Sequence, residues 1–532
     1  MNYFKLFVAS LFSIAVSCAP SEQQLKQLKE DSIHRADSVF TADSIKKSET
    51  PLPDTSWASV DSLDVEVYLY DSITDGHLKS FNYLYQNKKG CYTFRGNELR
   101  NADFEGKLDS VPSKVSVVWT FSTGYDTTHT KYGTWGGGTG WTGEPVYVQW
   151  SDESYNYQKN NALGLKPDFG KTEIMVGSLC QKIYFIDYQT GKMSREPMDA
   201  GNPIKGSISL NPTLNGDLYV GMGIPARGQM GHQGFNIFTQ QRFFYQGNDN
   251  DAWRGWHAFD SSPLVLDQFL FWPGENGIIY KYIVGEHSLK LHSKMKYRLK
   301  GKSSPGMESS MSVYKNYGYI GDNHGNLLCI NLNTLKPVWR YFGGDDTDSS
   351  PVIEVVDGVP FIYSGTEVDK QEGDVSARFA KLNGLTGEFI WRKIIKCKRL
   401  VAGEEKTLDG GYYCTPLLGK GDCDNLIFAN VCTNLVPPGI FVAFDKKTGE
   451  QVYSINLYNF AWPSPTGYYT PDHKMYILNF DASGNVYLIE GKTGKIIYKQ
   501  LIGCTFESSP AVIGNCAVVG SRGSSIYKFK IE

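Results

Sequence analysis

With 532 residues, a formal net charge of −3 and no dominant basic stretch, the chain offers no global electrostatic case for binding nucleic acid. Aromatic residues make up 14% of the sequence, with 33 Tyr, 11 Trp and 55 Gly, a mix that suits strands packed face to face and joined by tight turns. A chain this long ordinarily splits into several domains, unless it is built from repeated units that each pack only on their neighbours.

Lys5 is followed by an apolar stretch from Leu6 to Val16 and then by Ser17-Cys18. That stretch has the length of a secretory core region and is too short to span a bilayer. The small residues before Cys18 resemble a bacterial lipobox. Residues 1–17 are therefore expected to be a signal peptide and Cys18 a lipidated N-terminus that anchors a soluble body to a membrane. An ordinary cleavable signal that happens to hold a cysteine is the alternative. From Ala19 to about Thr55 the chain is polar, with Asp31-Ser32-Ile33, Asp37-Ser38-Val39 and Asp43-Ser44-Ile45 recurring. Their six-residue spacing makes no continuous apolar stripe on a helix, so residues 18–56 read as a flexible tether, with a partner-binding helix as the alternative. Residues 57–91 form a short extension in which the apolar–polar alternation of residues 65–70 predicts a strand.

From residue 92 to 532 one phrase keeps returning: an acidic residue, two serines and usually a proline before an apolar run. It reads Asp260-Ser261-Ser262-Pro263, Glu308-Ser309-Ser310-Met311, Asp348-Ser349-Ser350-Pro351 and Glu507-Ser508-Ser509-Pro510. Paired apolar runs ending in Thr-Gly accompany it, at residues 183–191, 379–387, 440–449 and 486–494, with weaker copies at 235–246, 278–291 and 327–339. Units of roughly 40–50 residues with several short strands each predict an all-β radial fold. The last copy, residues 525–531, stops where its outer strand should begin, and residues 115–124 read as an outer strand with no unit before it. An N-terminal strand completing the C-terminal unit closes the circle and removes exposed edges. The count is then an eight-bladed β-propeller, with seven as the alternative because the unit near 207–246 is degenerate.

The phrases Thr386-Gly387-Glu388-Phe389-Ile390-Trp391, Phe94-Arg95-Gly96-Asn97 followed by Arg100, and Trp119-Thr120-Phe121-Ser122-Thr123-Gly124 resemble the pyrroloquinoline-quinone (PQQ) type repeat over about residues 92–531. That family divides into quinoprotein dehydrogenases, which hold PQQ and a calcium ion, and non-catalytic propellers such as the BamB lipoprotein of outer-membrane assembly. The sequence departs from the dehydrogenases in having no two adjacent cysteines, and Tyr453 and Tyr498 stand where a docking Trp is usual. The Gly-rich run from Trp135 to Trp141 lacks the Lys-Ser/Thr ending of a phosphate loop and reads as tight blade packing. Besides Cys18 there are nine cysteines, read as buried thiols, with disulfides such as Cys504–Cys516 as the alternative. Nine scattered His and no Gly-x-Ser-x-Gly elbow exclude the commonest zinc and serine hydrolase signatures.

Because the repeated phrase precedes each innermost strand, Asp260, Glu308, Asp348 and Glu507 are expected near one mouth of the axial channel, able to hold a cation or a basic peptide. Tyr412, Tyr413 and Trp462 fall near the same phase and would add stacking contacts, and Glu144 before Pro145 is a partial member. Serving only as turn caps is the competing role for these carboxylates. The run Gly343 to Asp348, with Asp345 and Asp346, lacks the spacing of an EF-hand calcium loop and reads as a solvated turn, with Ca²⁺ binding as the alternative. No catalytic residue and no cofactor are assigned. The expectation is a lipid-anchored scaffold for envelope proteins, on the periplasmic side of the outer membrane or at the cell surface. The alternatives are a PQQ- and Ca²⁺-dependent oxidoreductase and a ligand- or glycan-binding lipoprotein.

Overall fold

A computed structural model describes residues 60–81, 85, 89–102, 106–140, 143–371, 375–401 and 407–532. Cys18, the signal and the tether lie outside the described residues, as does Trp141.

Eight antiparallel sheets of four or more strands follow one another along the chain. They are the blades of a propeller, spanning residues 146–199, 209–246, 264–299, 312–342, 352–397, 417–457, 466–501 and 511–531. The degenerate unit is a complete four-stranded blade, blade 2. Blade 8 takes its outer strand from Val115–Ser122, paired antiparallel with Ser525–Ile531 in the register Val115↔Ile531 to Ser122↔Ser525. Middle strands such as Leu426–Cys432 are buried along their whole length, because both faces pack on neighbouring blades.

The Thr-Gly phrase and the outer-strand aromatic turn out to be one device. Trp119, Trp339 and Trp391 lie over Gly191, Gly387 and Gly449 of the next blade, and Tyr453 lies over Gly494. These glycines adopt φ between +69° and +75°, and a Cβ on any of them would sit 2.6–2.7 Å from the ring. Each ring also donates a hydrogen bond to the turn it covers: Trp119 to Tyr188 O (3.0 Å), Trp339 to Gly384 O (2.8 Å), Trp391 to Lys446 O (3.0 Å) and the Tyr453 hydroxyl to Gly491 O (2.6 Å). Tyrosine therefore does the work of the docking tryptophan in blade 6.

The serine phrase closes a second circle further in. The Ser262 amide donates to Ser310 Oγ (2.9 Å) and the Ser310 amide to Ser350 Oγ (2.8 Å). The Ser349 hydroxyl reaches Cys414 O (2.6 Å), Thr415 N donates to Ser464 Oγ (2.9 Å) and Ser464 N to Ser509 Oγ (3.0 Å). Ser509 N meets Gly143 O (2.9 Å), Glu144 N meets Ser207 Oγ (2.7 Å), and Ser209 and Ser262 share a hydroxyl contact at 2.9 Å. Every blade is thus stitched to the next by a buried serine that satisfies a neighbour's polar group.

The chain also fills its own channel. Gly90 and Cys91 pair with the innermost strand of blade 1, and Gly106 and Lys107 pair in parallel with that of blade 7. Between them, carbonyls of Tyr92, Glu98 and Leu99 accept from Leu210 (2.8 Å), Val313 (2.6 Å) and Ile353 (3.0 Å) of blades 2, 4 and 5. Arg100, fully buried, donates to Thr93 Oγ1 (2.7 Å), Phe94 O (2.7 Å), Met311 O (3.0 Å) and Ser262 O (3.1 Å). The extension contributes the strand foreseen near residue 65. Leu63–Leu69 adds a fifth strand to the outer edge of blade 3, antiparallel to Ser288–Leu299.

Candidate functional site

The loops before each innermost strand and those joining the second and third strands meet on one face of the propeller. Their carboxylates fall into two groups rather than one even circle. In the first, Asp260 and Glu275 of blade 3 and Glu308 ahead of blade 4 place oxygens within 4.8 Å of one another. The Lys205 ammonium enters this group, in contact with Asp260 and at 3.8 Å from Glu275 and 3.7 Å from Glu308. Trp256 Nε1 donates to Glu275 Oε2 (2.8 Å), and the Arg254 guanidinium lies 4.0 Å from that oxygen.

Burial works against charge here, and the neighbours decide the outcome. For Lys205 the three carboxylates outweigh burial and hold its pKa well above the usual lysine range. Burial and the nearby Glu308 push Glu275 well up, and burial raises Asp260 despite Lys205. Glu308, nearest the solvent, is lowered because Lys205 overcomes its burial. The arrangement is one ammonium facing carboxyls that cannot all ionise.

The second group is Asp346, Asp348 and Glu367, again within 4.8 Å. Burial, with Asp348 and Asp346 beside it, pushes Glu367 well up, while its Oε1 accepts from Asp348 N (2.9 Å). Burial raises Asp346 to about 6 against the pull of Lys370 at 3.2 Å. The turn read as solvated is thus partly inside: Asp345 is 1% exposed and accepts from Lys370 N (2.9 Å) and Gln371 Nε2 (2.8 Å).

The remaining candidates separate. Glu507 lies 3.5 Å from Arg522, whose guanidinium sits over Trp135 at 5.6 Å; burial lifts this carboxyl to about 7. Glu144 pairs with Arg95 of the channel segment at 3.8 Å and is likewise lifted to about 7 by burial. Tyr413 stacks on Trp462 at 4.9 Å, and Phe460 packs on Trp462 at a tilt of 36°, 5.2 Å away. Tyr412 points into the blade core, stacked on Phe379 at 5.2 Å. Lys205 and Glu275 carry no repeated phrase and were missed. Glu275 was findable, because it sits in the Gly-rich turn two strands after Asp260.

PQQ with Ca²⁺ does not fit the packed channel or the group of Asp260, Glu275 and Glu308. A calcium ion takes six to eight oxygens, and the position among Asp260, Glu275 and Glu308 is taken by the ammonium of Lys205. The aromatic faces at this end lie against one another, and the channel is packed with residues 90–102 and 106–108. All nine described cysteines are free thiols, eight of them buried.

No protein-family model matches the chain, and no curated protein matches it by sequence. Solved structures do match in fold. A quinohemoprotein alcohol dehydrogenase from Pseudomonas putida HK5 is 11% identical with a TM-score of 0.59, over 86% of this chain and 82% of that one. A quinohemoprotein alcohol dehydrogenase from Comamonas testosteroni is 13% identical with a TM-score of 0.55, over 84% of this chain and 82% of that one. BamB from Moraxella catarrhalis is 15% identical with a TM-score of 0.48, over 69% of this chain and 95% of that one. The shared property is the propeller. Identities this low say nothing about chemistry, since one fold hosts many functions.

Proposed function

We propose that this protein is a non-catalytic scaffold that binds other envelope proteins, held by a lipidated Cys18 on the periplasmic side of the outer membrane. Outer-membrane protein assembly is the process that the repeat's resemblance suggests. The observation that carries the reading is the use made of the axial channel. Its interior is packed with the chain's own residues 90–102 and 106–108, and Lys205 occupies the centre of the first carboxylate group at its mouth. Surfaces remain for binding: the lip formed by Glu308, Asp346 and Asp348, and the outer edges of the blades.

Crosslinking in cells followed by affinity capture of the full chain tests this directly. Envelope proteins should be recovered, and Cys18→Ala should release the protein from membranes. Recovery of soluble sugars alone would sink the scaffold and favour a glycan-binding lipoprotein. The fold likeness to dehydrogenases motivates one control: adding PQQ with Ca²⁺ should leave the absorbance spectrum and Tm unchanged, whereas a saturable rise in Tm would establish a quinoprotein.

A further inference from the structure

The outer edge of blade 3 shows what kind of strand this propeller accepts. Blade 3 already has four strands, yet Leu63–Leu69 adds a fifth, and the match is one of charge. The outer strand Ser288–Leu299 reads Ser-Leu-Lys-Leu-His-Ser-Lys-Met-Lys-Tyr-Arg-Leu, and the added strand reads Leu-Asp-Val-Glu-Val-Tyr-Leu. Asp64 lies opposite Arg298 and Glu66 opposite Lys296, in ion pairs of 3.0 and 3.1 Å, while Asp71 meets Lys290 at 2.7 Å. On the other face Leu63, Val65 and Val67 oppose Leu299, Tyr297 and Met295. An acidic–apolar strand is laid on a basic–apolar edge.

Blade 5 repeats that edge without the cover. Its outer strand, Phe389–Cys397, reads Phe-Ile-Trp-Arg-Lys-Ile-Ile-Lys-Cys, and among the described residues no strand pairs with its outer side. The outer strands of blades 6 and 8 carry no cation at all. Along one face of the blade 5 strand stand Ile390, Arg392, Ile394 and Lys396, all exposed, with Ile394 at 57%. Among the described residues neither Arg392 nor Lys396 meets a carboxylate. Long exposed edges with apolar side chains invite pairing, and proteins usually cover or blunt them. Here the edge is nine residues long and keeps Ile390 and Ile394 in water.

We propose that the outer edge of blade 5 receives an extended acidic–apolar segment of a partner protein by antiparallel strand addition, as residues 63–69 are received by blade 3. The segment carries carboxylates at alternate positions on the face that meets Arg392 and Lys396, as Asp64 and Glu66 do in residues 63–69, with apolar residues on its other face. Main-chain hydrogen bonds hold such a strand and the alternating side chains select it. The inference rests on the scaffold reading and names the chemistry of the partner.

The probe is the protein's own strand: a fluorescent peptide of residues 60–72, titrated into the full chain and followed by anisotropy. Saturable binding is expected, weakened about tenfold or more by Arg392→Glu with Lys396→Glu at unchanged Tm, as expected for loss of complementary charge. A peptide carrying Asp64→Lys and Glu66→Lys should bind that double variant better than it binds the wild type. Absence of binding, or equal affinity for wild type and double variant, overturns the proposal. So does binding abolished by Lys296→Glu with Arg298→Glu and untouched at blade 5, which would mean exchange at blade 3. Doubling of the mass in sedimentation, lost when residues 60–72 are deleted, would assign the edge to a second copy and overturn it as well. Cellular capture separates the two readings. Partners recovered equally by wild type and double variant leave the scaffold standing and remove this edge; no partners from either, with the peptide still bound, does the reverse.

Discussion

The inner wall and the outer rim of this propeller use polar residues in opposite ways. At the wall, Arg100, the serine belt and Lys205 are buried, and each satisfies groups that water cannot reach. At the rim, charges such as those of Glu66 and Arg392 are open to solvent and their pairings are optional. The contrast teaches that acidity at a channel mouth is poor evidence of a ligand when the fold supplies its own counter-ion. Unspent charge beside an unpaired edge is better evidence of a partner.

The comparison can be broken most forcefully at Arg100. Its guanidinium ties the channel segment to the chain near Ser262 and Met311, so Arg100→Ala should cost about 3–5 kcal/mol, read as a shifted denaturant midpoint. A value under 1 kcal/mol would mean that the wall is not organised as described.

Glu507 sharpens the contrast through pH. Burial lifts its folded pKa to about 7, above the ordinary glutamate value of 4.5, so its contribution to stability is fully present below about pH 4.5 and is lost as pH rises through 7. Glu507→Gln, which mimics the protonated form, should therefore match the wild type near pH 4.5 and exceed it by up to about 3 kcal/mol at pH 8. Thermal melts at both pH values check this, and an equal effect at both would refute it.

Ser310→Ala strips the Ser262 amide of its acceptor and should cost about 1–3 kcal/mol. At the rim the effect should be smallest. Glu66→Gln removes one half-exposed ion pair and should leave the denaturant midpoint almost where it was, the small shift vanishing in high salt.

Much of the circle was legible in advance. The Thr-Gly turns and the acidic-Ser-Ser phrases repeat because every blade needs the same aromatic cover and the same serine stitch. The strand at Val115–Ser122 was readable as the missing edge of residues 525–531 for the same reason. The site was less legible. Four carboxylates at equivalent positions suggested one even set, yet Asp260 and Glu308 share Lys205 while Glu507 pairs with Arg522. Those partners are single residues within the repeated loops, Lys205 before the inner strand of blade 2 and Arg522 in the Gly-rich turn of blade 8, so no periodicity announces them. The channel filling escaped notice because Phe94-Arg95-Gly96-Asn97 was legible as a family phrase but not as a packed insert, and nothing local in it says that it will be buried.

The closing pair of strands also sets the order in which the molecule can be made. Ser116 and Glu532 hydrogen-bond across 416 positions of sequence, and the circle cannot shut until the strand Ser525–Ile531 has been synthesised. Until then the wall around the segment that fills the channel is incomplete, and the strand Val115–Ser122 has no partner. Folding must wait for its most distant contact, the kind that slows the search most. Chains lacking the strand Ser525–Ile531 would stay open and be exposed to proteolysis and self-association.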